Sequence, residues 1–338
     1  MLSTMTSQNT PSAGKDAGKL VGLVLGLAAI ASIMLLALGL PAVNSGANDL
    51  PLAVSGPVPA VEALTGTFEE TNPGTFEVTT HTTDAAVRDA ILNREAIGGI
   101  AIGAPGATGA PEITIYTASG AGTPYAGILN SIAAGMTAQG QHVTVTDLAP
   151  LTADDPSAVG LSAMGLPLIF GGMISAVALS LLFAHRNVWW QVGGSVAFSL
   201  VAGFGLTALV QFGFDSFEDA YVATSLALTL GIASISLTAL GIKALLGMPG
   251  LGLAAVLMLF VSNPISGIAT GPQWLPAPWG EIGQWLPIGA AGTAVRSEAF
   301  FAGGGASQAY LVLGVWIAAG VVLAALGSFR ASRQAASA

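Results

Sequence analysis

The chain has 338 residues, of which 53% are hydrophobic and 8% charged, with a formal net charge of −9. A soluble domain carries about 25% charged residues, so a wholly water-soluble protein is excluded. Cysteine is absent, which removes disulfide frameworks, thiolate metal sites and cysteine nucleophiles.

The first nineteen residues are rich in Ser, Thr, Gly and Ala and read as a disordered cytoplasmic tail, 1–19. Leu20–Leu40 then runs without a charge or a proline. At about 1.5 Å per residue it spans a hydrocarbon core of roughly 30 Å. A signal-peptide core is only about 7–15 residues long, so this segment is expected to stay as the first anchor. Gly22 and Gly26 form a GxxxG pair in it, which suits either a dimer contact or close packing inside a bundle.

Asn44–Ala158 is the one polar block of domain size, with twelve acidic and two basic residues. Its pattern alternates between strand and helix periods. Leu50–Ser55, Phe76–Thr80, Ile97–Ile102, Glu112–Thr117 and Val143–Asp147 read as strands. Val58–Glu70, the stretch that Thr83 caps through Asn93, and Tyr125–Ala138 read as helices. The turn-rich Gly103–Pro111 joins two strands. The order predicts a small α/β domain with helices on one face. His81 and His142 lie in or beside separate strands with no close-spaced partner, so they read as surface residues and no metal site is expected.

The remaining spans are Leu161–Phe183, Val188–Phe212, Ala220–Ile242, Leu251–Val261 with an irregular continuation, and Ala309–Phe329. The predicted fold is thus an α-helical polytopic membrane protein. Six transmembrane helices fill 20–40 and 159–329, and an extracytoplasmic α/β domain is inserted after the first. Span four carries Thr224, Ser225, Thr229, Ser234, Ser236 and Thr238. Small hydroxyl residues usually make helix-packing contacts; Thr224, Ser225, Thr229 and Ser236 are also the candidates for lining a substrate path. No ionisable group sits well inside spans one to four or six, which argues against proton coupling.

Ser262-Asn263-Pro264 interrupts the fifth span, and 262–308 is irregular and dense in Trp and Pro. Either a re-entrant hairpin over about Ile265–Phe301 or a loop lying on the headgroups fits this composition. Pro264, Trp285, Pro287 and Arg296 mark the candidate re-entrant segment. With the N-terminus inside, Lys15, Lys19, Arg186, Lys243, Arg330 and Arg333 fall on the inner side, six of nine basic residues. By the positive-inside rule both termini, including the tail 330–338, are then cytoplasmic, and the membrane is a bacterial plasma membrane.

Nucleotide chemistry lacks its motif: Gly14-Lys15 and Gly18-Lys19 have neither the upstream glycine nor the following Ser or Thr of a P-loop. No catalytic constellation stands out, so no enzyme activity, no cofactor and no nucleic-acid partner is expected.

The order of elements, one span, an outer α/β domain and five further spans, resembles the phage-infection-protein (YhgE/Pip) family of the type-2 ABC exporter permease superfamily. The resemblance rests on Asp84-Ala85-Ala86-Val87-Arg88-Asp89-Ala90-Ile91 with Arg94-Glu95 and Gly98-Gly99-Ile100. It extends to Val143–Asp147 with Pro150 and Asp154-Asp155-Pro156, and to Gln284-Trp285-Leu286-Pro287 with Arg296. It implies export or envelope-related roles, in some members phage adsorption; with the re-entrant segment and the Ser/Thr stripe, the architecture leads to the expectation of a homodimeric permease subunit that exports a lipid-like or amphipathic molecule with a separate ATP-binding subunit. The chain departs from the superfamily at the connection between spans two and three, little more than Ala184-His185-Arg186-Asn187, which leaves scant surface for an ATPase. The alternative is a membrane-anchored scaffold or receptor whose outer domain binds an envelope component, a secretion partner or a phage.

Overall fold

Two hydrophobic cores organise the chain, one around a five-stranded sheet and one among apolar helices. The computed structural model describes residues 13–105 and 111–337. Residues 1–12 of the expected tail, 106–110 of the expected turn and 338 lie outside them.

The sheet domain contains β1 (Leu50–Ser55), α2 (Val58–Thr71), β2 (Phe76–His81), α3 (Asp84–Leu92), β3 (Gly98–Pro105), β4 (Pro111–Thr117), α4 (Thr123–Ala138) and β5 (His142–Asp147), after the long α1 (Ala13–Val43). Element order follows the sequence reading. Thr83 caps α3 by accepting from the Ala86 amide at 3.2 Å, which satisfies a first-turn donor. Strand order is β2-β1-β3-β4-β5, parallel throughout except between β3 and β4.

Helices cover both faces of this sheet, not one as expected. Successive strand residues point to opposite faces. A Cβ on Gly98 would strike Leu129 of α4, whereas one on Gly99 would strike Val87 of α3. Phe68 of α2 packs on Phe76 with ring centroids 5.2 Å apart. The register places Phe76 on the face of Leu50, Leu52 and Gly98, so α2 shares the α4 side. The cause is topological. The chain steps one way from β1 to β2 and back across β1 to β3, and right-handed crossovers then require helices on opposite faces.

The helical part contains α5 (Val159–Ala163), α6 (Gly165–Leu182), α7 (Val188–Ala208), α8 (Tyr221–Leu246), α9 (Met248–Ala255), α10 (Trp279–Gln284), α11 (Pro287–Phe301) and α12 (Ser307–Ser337). Five helices are long and apolar enough to cross a membrane: Asp16–Val43, Val159–Leu182, Val188–Gly213, Tyr221–Leu246 and Ser307–Gln334. The chain is therefore a helical membrane protein with a folded sheet domain. α8 is its hub, with α6, α7, α9, α11 and α12 all packed on it. At the α8–α12 crossing a Cβ on Gly320 would meet the Leu237 carbonyl carbon at 2.5 Å, so only glycine lets the two backbones approach this closely.

Three expectations change here. Residues 13–19, expected as disordered tail, are the first turns of α1. The expected fifth span, Leu251–Val261, lies in Met248–Ser262, which ends in the π-helical stretch Val256–Ser262. Eight α-helical and seven π-helical residues rise only about 22 Å, short of a hydrocarbon core of roughly 30 Å. At the other end, 330–337 continues α12 as helix.

α1 stands apart. None of its apolar window is buried, although its mean hydropathy of 2.7 is the highest of the five. Gly22 and Gly26 face nothing within 4 Å, so packing inside the bundle of a single chain is not their role.

Candidate functional site

Segment 263–286 builds the seam between the two cores. After Ser262 the chain climbs to the sheet domain, where Thr270 and Gly271 crowd Gly122 and Tyr125. It then turns back: Gly280 lies against the Pro272 carbonyl and Gly283 against that of Ile265. Gln284 Nε2 donates to the Ser266 carbonyl at 3.0 Å. α11 starts beside the end of the short helix, with the Ile288 amide donating to Ser262 Oγ at 3.2 Å. Its Ala291 meets Gly231 of α8. Thus 265–301 climbs to the sheet domain, turns back to the middle of α8 and returns, its last two legs forming a hairpin.

The four residues expected to mark this segment hold distinct places. Pro264 lines a cleft beside α1. Trp285 is exposed, and its carbonyl accepts from Trp316 Nε1 at 2.9 Å. Pro287 sits buried in the first turn of α11. Arg296 is 4% exposed and crosses the seam. It donates from Nη1 to the Ala121 carbonyl at 3.0 Å and from Nη2 to the Ile268 carbonyl at 3.1 Å.

Sequence reasoning named Arg94 only within the family resemblance and gave Tyr125 no part in this seam. Arg94, just past α3, donates to the Thr293 carbonyl at 3.0 Å and to Ser297 Oγ at 2.8 Å. Tyr125 is 1% exposed. Its hydroxyl donates to Gln273 Oε1 at 3.0 Å and accepts from the Trp274 amide at 3.1 Å. The Gly46 amide donates to the Trp274 carbonyl at 3.0 Å. Burial, with no acid beside it, pushes the Tyr125 phenol up. Burial and the Arg296 charge pull the Arg94 guanidinium down to about 9. Neither arginine has a carboxylate within ion-pair distance; Lys19–Asp16, at 3.8 Å, is the one ion pair among the described residues. A signal for this was present: Arg94 is one of only two basic residues in an acidic domain.

The hydroxyl stripe lies where α8 meets α7. Thr229 and Ser225 pack on Gly203, and Ser236 Oγ hydrogen-bonds Ser195 Oγ of α7. Thr224, Ser225, Thr229 and Ser236 are all buried, and the first three hydroxyls have no partner among the described residues. The void lined by Leu161, Leu168, Leu228, Ala291 and Arg296 has about 10 Å³, so it is no open path. Larger spaces lie elsewhere, among them a cleft of about 540 Å³ beside Leu179, Phe183 and Trp190. An apolar cleft of about 560 Å³ separates Leu36 and Leu40 of α1 from Phe260, Pro264 and Trp279. A polar cavity of about 160 Å³ lies in the seam beside Arg94. A groove of about 340 Å³ lies at the C-terminal ends of β1 and β3, lined by Ser55, Thr83, Asp84, Glu112 and Tyr116. Among the described residues no cluster of His, Asp and Glu could hold a metal ion.

No family model, no curated protein and no solved structure matches this chain.

Proposed function

We propose that the chain is a permease-like membrane subunit that handles a lipid-like or amphipathic molecule from the side of the bilayer. The cleft beside α1 carries this reading. Its walls are apolar, and its size accommodates acyl chains. A hydrophobic molecule enters such a cleft from lipid without crossing water. The short helix Met248–Ser262 and the hairpin 265–301 together complete a sixth passage, with non-helical backbone held by protein rather than lipid. Both termini are cytoplasmic and the sheet domain is outside, in a bacterial plasma membrane. The GxxxG face of α1 joins a second copy, and a separate ATP-binding subunit supplies the work. The resemblance to YhgE/Pip exporters belongs to this proposal. For the hydroxyl stripe to line a path, α7 and α8 must first separate.

The test is a lipid with a photoreactive group in its acyl chain, reconstituted with the protein. Cross-links are expected at Leu36–Asn44 and Phe260–Trp279. Even labelling along every lipid-facing helix would contradict the reading.

One observation favours the second reading, an envelope scaffold or receptor. The groove at β1 and β3 sits where the strand order reverses, the usual ligand position in open α/β sheets. Its test is Thr114→Trp, which fills the groove because Thr114 of β4 also lines it. Loss of an envelope partner with lipid cross-linking intact would favour the receptor.

A further inference from the structure

The polar cavity in the seam is rich in hydrogen-bond donors and poor in negative charge. Arg94, Gln273, Gln284, Thr293 and Gln308 line it, and no Asp or Glu does. Arg94 uses only Nη1 on protein acceptors; its Nε and Nη2 bond to none of the described residues. The Tyr125 hydroxyl accepts from the Trp274 amide and donates to Gln273 Oε1, and the Gln273 NH2 bonds to none of the described residues. Gln284 spends its oxygen on Thr293 and one N–H on Ser266. Gln308 and Ala309 place the first turn of the 31-residue α12 at the same cavity. No side chain among the described residues caps that turn, so its amides and the helix dipole add positive potential. Glu298, whose carboxylate accepts from the Tyr310 hydroxyl at 2.6 Å, does not line the cavity.

Arg94 is held there at a cost. It adopts a left-handed backbone with φ of 59°, a conformation that usually falls to glycine at this position after a helix. The lowered guanidinium and the adjacent buried Arg296 add like-charge repulsion. A guanidinium recruits an anion more readily than it gives up its proton.

We propose that this cavity binds a phosphate group through Arg94, the carboxamides of Gln273 and Gln308, and the first turn of α12. Phosphate fits better than carboxylate because it offers acceptors in several directions to donors that converge from three elements. The cavity lies at the start of the α12 span, beside Gln284, whose neighbour Trp285 is exposed. That is headgroup depth, so the phosphate comes from a lipid headgroup or from solution. The proposal does not depend on export, and a scaffold could carry the same site.

The test uses the full chain in maltoside micelles, which contain no phosphate. Inorganic phosphate and a short-chain phosphatidic acid are titrated separately by calorimetry. Saturation by inorganic phosphate identifies a soluble ligand; saturation by the lipid alone identifies a headgroup; either supports the site. Arg94→Gln should weaken binding at least about tenfold, a difference near 1.4 kcal/mol, and Arg94→Lys should retain most of it. Gln308→Glu separates binding from folding, since it puts a carboxylate in the cavity. It should raise the unfolding temperature of the ligand-free protein and abolish phosphate binding. Saturation of neither ligand, or binding unchanged in folded Arg94→Gln or Gln308→Glu, would overturn the proposal.

Discussion

Tyr125 ties the sheet domain to the hairpin with one ring and one hydroxyl. Its ring packs edge-on to Trp274 at 6.0 Å, and its hydroxyl makes the two hydrogen bonds to Gln273 and Trp274. Tyr125→Phe keeps the ring and should cost about 1 kcal/mol, because the half-buried Trp274 amide and Gln273 side-chain oxygen lose this partner. The phenol also sets a pH dependence. Its folded pKa lies above its unfolded value, so its contribution is complete below about pH 10 and falls as pH rises further. Thermal unfolding at pH 8 and pH 10.5 should therefore show a steeper alkaline loss in the wild type than in Tyr125→Phe. Equal slopes would remove Tyr125 from the account. Arg296 is the counterpart from the bundle. Its guanidinium is met by two carbonyls rather than a carboxylate, with Nε unpartnered. Such a buried charge is a costly feature.

At the scale of elements, the α8–α12 crossing is the tightest part of the bundle. Gly241 abuts the Gly320 carbonyl, and Gly327 abuts Ala244. Gly320→Leu should destabilise the bundle by about 1–3 kcal/mol or more through overpacking, read as a lower unfolding temperature in detergent. The exposed Gly314 of the same helix meets nothing within 4 Å, and Gly314→Leu should leave that temperature nearly unchanged. Elements of this kind were legible in the sequence because each is local. The strands alternate over a few residues, Thr83 stands directly before its helix, and the long apolar runs outlast any soluble helix. What was not legible depends on distant pairs. The reversal of strand order that puts helices on both sheet faces is set by β1 lying between β2 and β3. The seam joins Arg94 to Ser297 and Tyr125 to Gln273, contacts separated by 203 and 148 positions. The fifth span, read as Leu251–Val261 with an irregular continuation, corresponds to the short helix Met248–Ser262 and the irregular segment after it. Sequence gave Arg296 a place in the hairpin, but the cavity beside Arg94 needed three elements brought together.

The whole molecule is a bundle and a sheet domain locked through the hairpin, with α1 held off to one side. Because the chain has no cysteine, single cysteines report on this arrangement without background. Gly22→Cys should form a disulfide-linked dimer on mild oxidation in membranes, while Val24→Cys, about 200° away around the helix, should not. Dimers from both positions alike would mean that α1 meets its copy at random. The same background permits the most direct test of the central claim, that apolar helices carry this chain across a membrane with the sheet domain on one side and the end of α12 on the other. Ser131→Cys, exposed on α4, and Ser332→Cys, exposed near the end of α12, are treated with a membrane-impermeant maleimide on intact cells and again after lysis. The account predicts reaction at Ser131→Cys in both states and at Ser332→Cys only after lysis. Reaction at both positions in intact cells, or at Ser332→Cys alone, would contradict it.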